Sequence, residues 1–556
     1  MNWLENLIRA DLREMASYSS ASTEAGGFTP AIEIDANECP WPPFGPVSAL
    51  CKPNRYIDAQ QPAELLARLG GEWGVRPDEM MVGRGSDEAI DMLTRLFCAA
   101  GQDQILICPP TFAMYAFSAQ LQGVEVLKAP LTSDWQLDVP AILSTCTPKT
   151  KLIFIPSPNA PMGHFMRRED ILALCKARAE QSLIVVDEAY IAFTDAPAGM
   201  VALQKDHPNL VILRTLSKSH ALAGERVGAV IGAPELVGRL RKILAPYPLS
   251  QSTVRTVLDA LSPNGLVQAA EYRRVLVAER DRVAALLMQS PHVVKVFPSV
   301  ANFLLVEMRD PEAAMQLLVK HSVLARNRHS LIPNTIRLSI STPEENDTVL
   351  TILGVTVPTA EKGRMPRIYS ARRATKETAI DVTVNLDEPR FLDIATGIGF
   401  FDHMLNPIAT HGGFGLVLKA KGDLEIDTHH TIEDCALTLG EALKGALGDK
   451  RGIARFGFTA PLDEALAQVT VDLSGRPHME FEGNFPTPMA GEMPAEMTAH
   501  FFQSLATTLG ATIHVSVKGD NTHHMMEASF KAMGRALRQA FRFEGAGDIP
   551  STKGVL

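Results

Sequence analysis

The sequence predicts two structural classes in one chain: an α/β N-terminal half around a buried, mostly parallel sheet, and an α+β C-terminal half made of two repeated units. In the first half, short β-branched runs such as KLIFIPSP and SLIVVDEAY alternate with helical stretches, a pattern typical of βαβ units. Histidine is unevenly spread, with six in residues 1–366 and nine in the final 190. In that final part, the motif His-His-x-x-Glu occurs twice.

The length and one change of composition predict the domain boundaries. A chain of 556 residues exceeds the size at which a single hydrophobic core usually stops growing, so at least two domains are expected. Near residues 355–366 the apolar periodicity gives way to Pro, Gly and basic residues, and alternation resumes in TAIDVTVNLD. We therefore expect an N-terminal domain of residues 1–356, a linker of 357–366 and a C-terminal domain of 367–556.

Composition argues against several functional classes. No apolar run reaches the roughly 18 residues of a membrane-spanning helix, and the first residues lack the basic leader and apolar centre of a secretory signal. A net charge of −10 gives no electrostatic drive towards nucleic acid. The seven cysteines are odd in number and include no C-x-x-C pair, which argues against a disulfide framework or a zinc cage. We expect a cytoplasmic protein that binds neither membranes nor nucleic acid.

The first candidate site lies where the N-terminal strands end, because ligands of open α/β sheets bind at the carboxyl ends of strands. Apolar runs end at Asn159, at Asp187 and Tyr190, and at Ser217 and Lys218. A carboxylate that ends a buried strand needs a cation or several donors, and a protonated pyridine nitrogen would serve Asp187. Lys218 could form a Schiff base if its surroundings lowered its pKa.

A Gly-Ser turn adds a possible phosphate site. In GRGSDEAI the turn leads into a helix whose free N–H groups could bind a phosphate, and Arg226 could add a cation. Each feature alone is ordinary, since an aspartate after a strand is more often a helix cap and a Gly-Ser turn usually only begins a helix. Their joint occurrence in this order favours a cofactor site.

In order and spacing, these residues resemble the fold-type-I pyridoxal-phosphate aminotransferases over roughly residues 28–350, most closely the histidinol-phosphate aminotransferases. DANECPWPP, CPPTFAMY, DEAYIAF and RTLSKSHALAGERVG carry the resemblance. It implies a mostly parallel sheet with a small C-terminal subdomain, and pyridoxal phosphate as cofactor. It also implies these roles: Lys218 as the aldimine lysine and proton shuttle, Asp187 on the pyridine nitrogen, Tyr190 and Asn159 on the phenolic oxygen, Ser86, Asp87, Ser217 and Arg226 on the phosphate, Tyr56 reaching in from a second subunit, Phe112 stacked on the ring, and Arg337 on the anionic end of the substrate.

Two departures from that family leave alternatives open. SPNAPMG stands where the family usually has Asn-Asn-Pro-Thr-Gly, and Glu225 precedes the phosphate arginine. One alternative is therefore a degenerate aminotransferase that is retained as a scaffold. Another is an active enzyme for aromatic amino acids, because Arg337 could bind a carboxylate as readily as a phosphate.

The C-terminal half repeats a module in which a lone histidine precedes His-His-x-x-Glu, by 26 residues in the first copy and 23 in the second. On a helix, the first histidine and the glutamate share a face and can clamp one metal ion, whereas the second histidine points about 100° away and could reach another. A single His-His pair is more often a cap, but two matched copies favour a metal site. The candidate ligands are His403, His429, His430 and Glu433 in the first copy, and His500, His523, His524 and Glu527 in the second.

From about Arg367 to Leu556 the chain resembles imidazoleglycerol-phosphate dehydratases, through GIGFFDHML, GDLEIDTHHTIED, DLSGRPH and STKGVL. The resemblance implies two manganese ions per site, held by the eight candidate ligands; zinc or iron would also suit this ligand type. It further implies Glu377 near the reacting carbons. The substrate phosphate would be bound by Arg455, Arg476, Lys531, Ser551 and Lys553.

Together the two resemblances imply a bifunctional enzyme of histidine biosynthesis. The C-terminal half would dehydrate imidazoleglycerol phosphate to imidazole-acetol phosphate, and the N-terminal half would transaminate that ketone with glutamate to histidinol phosphate. A metal-storage module is an alternative for the C-terminal half, and the sequence leaves open which carboxylate is the base. A homo-oligomer is also implied, because such aminotransferases form dimers and such dehydratases form large shells.

Overall fold

The computed structural model describes residues 62–194, 199–245, 247–357, 366–389, 391–450, 452–457, 462–543 and 550, and the backbone of 32–33 and 460–461. The chain divides into two compact units, one of residues 1–261 and 272–365 and the other of 262–271 and 366–556. Tyr56, Ser551, Lys553 and most of the expected linker lie outside the described residues. Among the described helices, none is both long and apolar enough to cross a membrane.

The described α-helices are α1 Ala63–Trp73, α2 Gly85–Phe97, α3 Met114–Gln122, α4 Val139–Thr145, α5 Arg168–Ala177, α6 Pro234–Ile243, α7 Gln251–Ala260, α8 Pro263–Leu287, α9 Pro311–Lys320, α10 Pro343–Ile352, α11 Gly399–Gly412, α12 His429–Leu447, α13 Met497–Leu509 and α14 Thr522–Phe541. The described strands are β1 Ile32–Glu33, β2 Met80–Gly83, β3 Gln104–Ile107, β4 Glu125–Lys128, β5 Thr150–Pro156, β6 Leu183–Asp187, β7 Leu210–Thr215, β8 Gly228–Ile231, β9 Val293–Val296, β10 Phe303–Met308, β11 Val323–Leu324, β12 Arg326–Asn327, β13 Thr335–Ser339, β14 Ile368–Ala374, β15 Thr378–Asn385, β16 Leu392–Ala395, β17 Gly415–Gly422, β18 Phe456–Gly457, β19 Ala460–Leu462, β20 Ala465–Asp472, β21 His478–Glu482, β22 Met489–Ala490, β23 Met493–Pro494 and β24 Thr512–Lys518.

Seven strands form the central sheet of the first unit, in the order β2-β8-β7-β6-β5-β3-β4. Strands β3 to β7 pair in parallel, and only β8 runs antiparallel to its neighbours. Alternate strand residues pack against apolar residues of α2, α3 and α6, as the two-residue period of a strand requires. The predicted mostly parallel, buried sheet is confirmed. A smaller antiparallel sheet, β12-β13-β10-β9, forms the subdomain that follows it.

A glycine brings β8 against the start of α2. A Cβ atom on Gly228 would lie 2.6 Å from the backbone nitrogen of Ser86 and 2.7 Å from the carbonyl carbon of Gly85. Gly85 itself has a φ of 81°, a backbone conformation that residues other than glycine rarely adopt. Two glycines therefore hold the N-terminus of α2 at the end of the sheet.

The second unit contains two sheets with the same pairing pattern. One has the order β14-β15-β17-β16, and the other has β18-β20-β24-β21 with β19 also paired to β20. In each sheet the last strand is parallel to its neighbour and the other pairs are antiparallel. Each also ends in helix-strand-helix order, as α11-β17-α12 and α13-β24-α14. The two repeated α+β units that the sequence predicts are confirmed.

The helices of the two repeats pack crosswise around one shared core. Helix α12 packs against α13, and α11 packs against α14. Each crossing contains a glycine, Gly440 in α12 and Gly534 in α14, and each lies 11 residues after the first histidine of its motif. The first helix of each repeat therefore contacts the second helix of the other.

At both crossings the glycine touches the backbone of the opposite helix. A Cβ on Gly440 would lie 2.8 Å from the carbonyl oxygen of Leu505, and a Cβ on Gly534 would lie 2.7 Å from that of Ile408. These distances are well inside van der Waals contact, so a larger residue at either position would push the helices apart.

We predict that Gly440→Ala lowers the free energy of unfolding of the second unit by about 1–3 kcal/mol, the usual cost of overpacking. This loss outweighs the gain of about 1 kcal/mol that alanine brings to a helix interior. Scanning calorimetry of the full chain measures the effect. Gly399→Ala is the control, because its new Cβ would meet Glu492 Oε2 at an ordinary 3.8 Å. An unchanged Tm for Gly440→Ala would show that the crossing has room for a methyl group.

Candidate active sites

One cavity of about 260 Å³ lies at the carboxyl ends of β5, β6 and β7. Nine of the described residues that were expected to bind cofactor or substrate line it, whereas Asn159 does not: Ser86, Asp87, Phe112, Asp187, Tyr190, Ser217, Lys218, Arg226 and Arg337. The structure therefore brings together side chains from residues that are up to 251 positions apart in the sequence.

Asp187 ends β6 as a buried carboxylate. Tyr115 Oη donates a hydrogen bond to its Oδ2 at 2.9 Å, and the backbone N–H of Ala189 donates to its Oδ1 at 3.1 Å. Tyr115 is itself fully buried and stacks on Phe154, with 4.8 Å between the ring centroids. Burial raises the pKa of Asp187 to about 6, although these two hydrogen bonds pull it down. A desolvated carboxylate at a cavity wall fits a cationic ligand group.

Tyr115 was not predicted from the sequence. It follows Phe112 by three residues in CPPTFAMY, and the two rings contact edge to face with centroids 5.6 Å apart. Its one sequence signal is this spacing, which places both rings on one side of a helix start. The tyrosine fixes the position of Asp187, which the sequence did identify.

The start of α2 forms one end of the cavity. Ser86 and Asp87 lie in its first turn, where backbone N–H groups are free to bind an anion. Arg226 Nη2 lies 2.9 Å from Asp87 Oδ2, and the φ of Arg226 is 54°, a strained value for a residue with a side chain. Ser217 lines the same cavity. This set of donors fits a phosphate group.

Asn159 is buried beside the cavity, and its neighbours Pro158 and Ala160 line the wall. Its Oδ1 accepts a hydrogen bond from the backbone N–H of Met162 at 3.2 Å, and its Nδ2 lies 3.5 Å from the carbonyl oxygen of Pro110. The side chain thus holds its own loop. Its expected contact with a cofactor oxygen stays a prediction.

Three further arginines line the same cavity: Arg326, Arg328 and Arg337. Arg326 and Arg337 are paired across β12 and β13, and Arg337 Cζ lies 5.2 Å from the ring centroid of Phe303. The sequence analysis found only Arg337. The signal that it missed is the alternation in LARNRH, because residues two apart in an extended segment face the same side. Several guanidinium groups together favour a multiply charged anion such as phosphate.

In the second unit, six of the eight candidate metal ligands gather into two clusters of three, and a seventh, His524, lies in a third group with Asp463 and Glu464. Within each group the ligand atoms lie within 4.8 Å of one another. The lone histidine of each module lies beside the His-His-x-x-Glu motif of the other module, because the first helix of each repeat packs against the second helix of the other. The clusters are His429, Glu433 and His500, and His403, His523 and Glu527.

The geometry of the first cluster fits a divalent metal ion. The Nε2 atoms of His429 and His500 lie 3.7 and 3.6 Å from Glu433 Oε2, and the two rings are 4.6 Å apart. His500 Nε2 is a buried atom without a hydrogen bond. Two imidazole nitrogens and a carboxylate oxygen that converge in this way match the donors of borderline divalent ions.

The second cluster contains the same pair of side chains four residues apart on a helix, with His523 Nε2 at 3.4 Å from Glu527 Oε2. The other oxygen of Glu527 accepts a hydrogen bond from Lys531 Nζ at 2.8 Å. Partial burial works against ionisation of Glu527, but Lys531 outweighs it and lowers the pKa of this carboxyl. The glutamate is therefore held as a carboxylate.

The second histidine of each motif bonds to a carboxylate through Nδ1. His430 Nδ1 lies 3.1 Å from Asp423 and 3.8 Å from Glu377, and His524 Nδ1 lies 2.9 Å from Glu464. The hydrogen bond that His430 makes to Asp423 raises the pKa of His430, and the hydrogen bond that His524 makes to Glu464 raises the pKa of His524. His430 belongs to neither of the two clusters, and His524 is grouped with Asp463 and Glu464 and not with the other candidate ligands. The role of both histidines in metal binding stays a prediction.

The residues expected to bind the substrate phosphate have different surroundings. Arg455 makes a two-pronged ion pair with Asp472, at 2.6 and 3.0 Å, and donates to the carbonyl oxygen of Pro550 at 2.8 Å. Arg476 is exposed, and Lys531 lies beside Glu527. The binding of the substrate phosphate by these residues stays a prediction.

Two protein families match separate parts of the chain. The family described as aminotransferase class I and II matches residues 52–353, and the family imidazoleglycerol-phosphate dehydratase matches residues 396–537. A histidinol-phosphate aminotransferase of Stenotrophomonas maltophilia is 39% identical over 353 residues, which are 62% of this chain and 95% of that protein. A histidine biosynthesis bifunctional protein HisB of Actinobacillus pleuropneumoniae is 54% identical over 214 residues, which are 38% of this chain and 59% of the relative.

Solved structures show a similar fold for the first unit. A histidinol-phosphate aminotransferase from Sinorhizobium meliloti in complex with pyridoxal-5'-phosphate aligns with a TM-score of 0.56 at 23% identity, over 62% of this chain and 96% of that one. The enzyme from Clostridium acetobutylicum aligns with a TM-score of 0.51 at 22% identity, over 58% of this chain and 98% of that one. The chain therefore belongs to the aminotransferase class I and II family and carries an imidazoleglycerol-phosphate dehydratase domain in its C-terminal part.

Proposed function

We propose that the chain catalyses two reactions of histidine biosynthesis, the dehydration of imidazoleglycerol phosphate to imidazole-acetol phosphate and the transamination of that ketone with glutamate to histidinol phosphate. The observation that carries the proposal is that each family match contains reactive side chains that come together in space, a buried aspartate and a lysine lining one cavity in the first and two histidine-glutamate clusters in the second. The product of one reaction is the substrate of the other.

In the first unit, the donor set fits pyridoxal phosphate, which supplies an electron sink for a carbanion. Asp187 would pair with the protonated ring nitrogen and Lys218 would move the proton of the substrate. Tyr115 keeps Asp187 in position, and Phe112 would stack on the ring. The start of α2, with Ser86, Asp87, Ser217 and Arg226, would hold the cofactor phosphate.

The arginine cluster favours histidinol phosphate over an aromatic amino acid. A carboxylate needs one guanidinium partner, whereas three guanidinium groups besides that of Arg226 line this cavity and match the charge of a phosphate ester. The intact pairing of Asp187 with Tyr115 likewise favours an active enzyme over a degenerate scaffold. Burial of a carboxylate costs free energy, so the presence of one at the cavity wall favours a role in binding.

In the second unit, the two clusters would hold two divalent ions, and the ligand set suits manganese. The ions supply Lewis-acid stabilisation for charge that develops on the substrate's imidazole ring. Glu377 is exposed and lies at the edge of the site beside His430, where a carboxylate can move a proton. Arg455, Arg476, Lys531, Ser551 and Lys553 are proposed to bind the substrate phosphate.

The remaining expectations also belong to this proposal. We infer a cytoplasmic homo-oligomer with small-molecule substrates and no membrane partner. We also infer that it does not bind nucleic acid, which the net charge of −10 supports. The domains are proposed as residues 1–356 and 367–556, joined by the linker 357–366. Tyr56 is proposed to reach the cofactor of a second subunit.

The direct experiment supplies the purified protein with imidazoleglycerol phosphate, glutamate, pyridoxal phosphate and Mn²⁺, and measures histidinol phosphate by mass spectrometry. Omission of Mn²⁺ should stop both products. Omission of glutamate should leave imidazole-acetol phosphate as the end product. Accumulation of the ketone in the complete mixture would contradict the transaminase assignment.

We predict that Lys218→Ala abolishes transamination and the absorbance of the bound cofactor, because the proton transfer needs this amine. Dehydration should continue at the wild-type rate, since the metal clusters contain no residue of the first unit. The two activities are measured separately on one preparation. Transamination that persists in the variant would remove Lys218 from the mechanism.

We predict that Asp187 makes the cofactor-free protein less stable as the pH rises. Its pKa in the folded protein is about 6, above the ordinary 3.8, so its full stability is present below pH ~4 and is lost as the pH rises through 6. Each pKa unit corresponds to about 1.4 kcal/mol, so the loss is about 3 kcal/mol. Asp187→Asn should remove this dependence, whereas the exposed Asp206→Asn should retain it. Parallel Tm-against-pH curves for wild type and Asp187→Asn would contradict the buried ionisation.

We predict that His500→Ala lowers the manganese content and stops dehydration, although His500 lies 67 residues beyond Glu433 in the sequence. The variant removes one of three converging donors, and metal sites seldom tolerate such a loss. His514→Ala is the matched control, because this exposed histidine of β24 belongs to neither cluster. Elemental analysis measures the manganese content. Equal content in wild type and His500→Ala would contradict the assignment of His500 to the metal site of His429 and Glu433.

A further inference from the structure

The two repeats of the second unit carry carboxylates at matching positions. The sequence Lys-Gly-Asp stands at the end of β17, with Asp423 directly after the strand, and at the end of β24, with Asp520 two residues after it. A hairpin glutamate also precedes the long strand of each repeat, Glu377 before β15 and Glu464 before β20. By sequence, each repeat could therefore support its second histidine in the same way.

The structure shows that the repeats differ. In the first repeat, His430 Nδ1 bonds to the aspartate, with Asp423 Oδ2 at 3.1 Å. In the second repeat, His524 Nδ1 bonds to the hairpin glutamate, with Glu464 oxygens at 2.9 and 3.0 Å, and Asp520 is exposed. An aspartate therefore accepts the Nδ1 hydrogen bond in the first repeat, whereas a glutamate from a different turn accepts it in the second repeat.

An imidazole that donates Nδ1–H to a carboxylate keeps its lone pair on Nε2, the arrangement typical of metal-binding histidines. We propose that Asp423 and Glu464 are the positioning residues of the two repeats, each orienting the second histidine of its motif so that Nε2 binds a metal ion. Glu377 corresponds to Glu464 by position. Because Asp423 orients His430, Glu377 is not needed for that role and is available for proton transfer. The last statement rests on the proposed dehydration; the positioning role does not.

Exposure distinguishes the two positioning residues. The side chain of Asp423 is 18% exposed, that of Glu464 is 39% and that of Glu377 is 55%. A hydrogen bond to a carboxylate is stronger where less water competes for it. We therefore expect the loss of Asp423 to weaken metal binding more than the loss of Glu464.

The test is a Mn²⁺ titration of the full-length protein, followed by electron paramagnetic resonance of the free ion. Asp423→Asn and Glu464→Gln should each weaken binding about 10–100-fold, the usual effect of removing such a partner. Asp520→Asn is the matched control for Glu464→Gln and should bind like wild type. Glu377→Gln should also bind Mn²⁺ like wild type but lose dehydration.

A spectroscopic readout separates positioning from a general loss of structure. In protein with ¹⁵N-labelled histidine, NMR should show His430 and His524 as Nδ1–H tautomers, and each variant should change only the histidine that its carboxylate contacts. Glu464→Asp, which restores the charge, should recover part of the Mn²⁺ affinity.

Three results would overturn the proposal: wild-type Mn²⁺ affinity in both Asp423→Asn and Glu464→Gln, a loss in Asp520→Asn as large as that in Glu464→Gln, or a loss of affinity in Glu377→Gln. A different result is also informative: wild type and variants could show the expected Mn²⁺ affinities while the wild-type protein does not dehydrate imidazoleglycerol phosphate. That result would overturn the proposed substrate and support the positioning roles.

Discussion

The candidate metal sites depend on two places where helices touch backbone to backbone. Gly440 and Gly534 allow α12 to meet α13 and α11 to meet α14 at distances that no side chain would permit. Helix crossings are usually separated by side chains and lie 8–10 Å apart. Here the closer approach brings His500 to the clamp of the first motif and His403 to that of the second. The glycine at the same offset in both motifs is therefore as much a part of the repeated module as the histidines.

Periodicity and self-similarity predicted much of the fold. The alternation of apolar runs and helices in the first half, and the doubled motif in the second, predicted a mostly parallel sheet and two α+β repeats, and both are confirmed. Such signals are local, so they survive without knowledge of the tertiary contacts. The cross-packing of the repeats is not local. The sequence indicated the eight candidate ligands but did not predict which lone histidine would lie beside which motif.

The candidate cofactor site shows the same limit. Strand-end residues such as Asp187 and Lys218 were found because the chemistry of a buried carboxylate or lysine is unusual at those positions. Tyr115, Arg326 and Arg328 were missed, because a tyrosine in an apolar helix and arginines in a loop are ordinary residues by sequence. Their importance comes from the partners that folding supplies, a carboxylate 72 residues away for Tyr115 and a shared cavity wall for the arginines.

Cross-packing also changes what a bound ion would do for the chain. Each cluster joins segments that are far apart, since His429 and His500 are separated by 71 residues and His403 and His523 by 120. A coordinated ion would therefore act as a cross-link between the repeats, and cross-links that close long loops restrict the unfolded chain most strongly. Two such links overlap along the sequence, so neither repeat could unfold while the other kept its ions. Metal loading would then make the two halves of the second unit a single cooperative element.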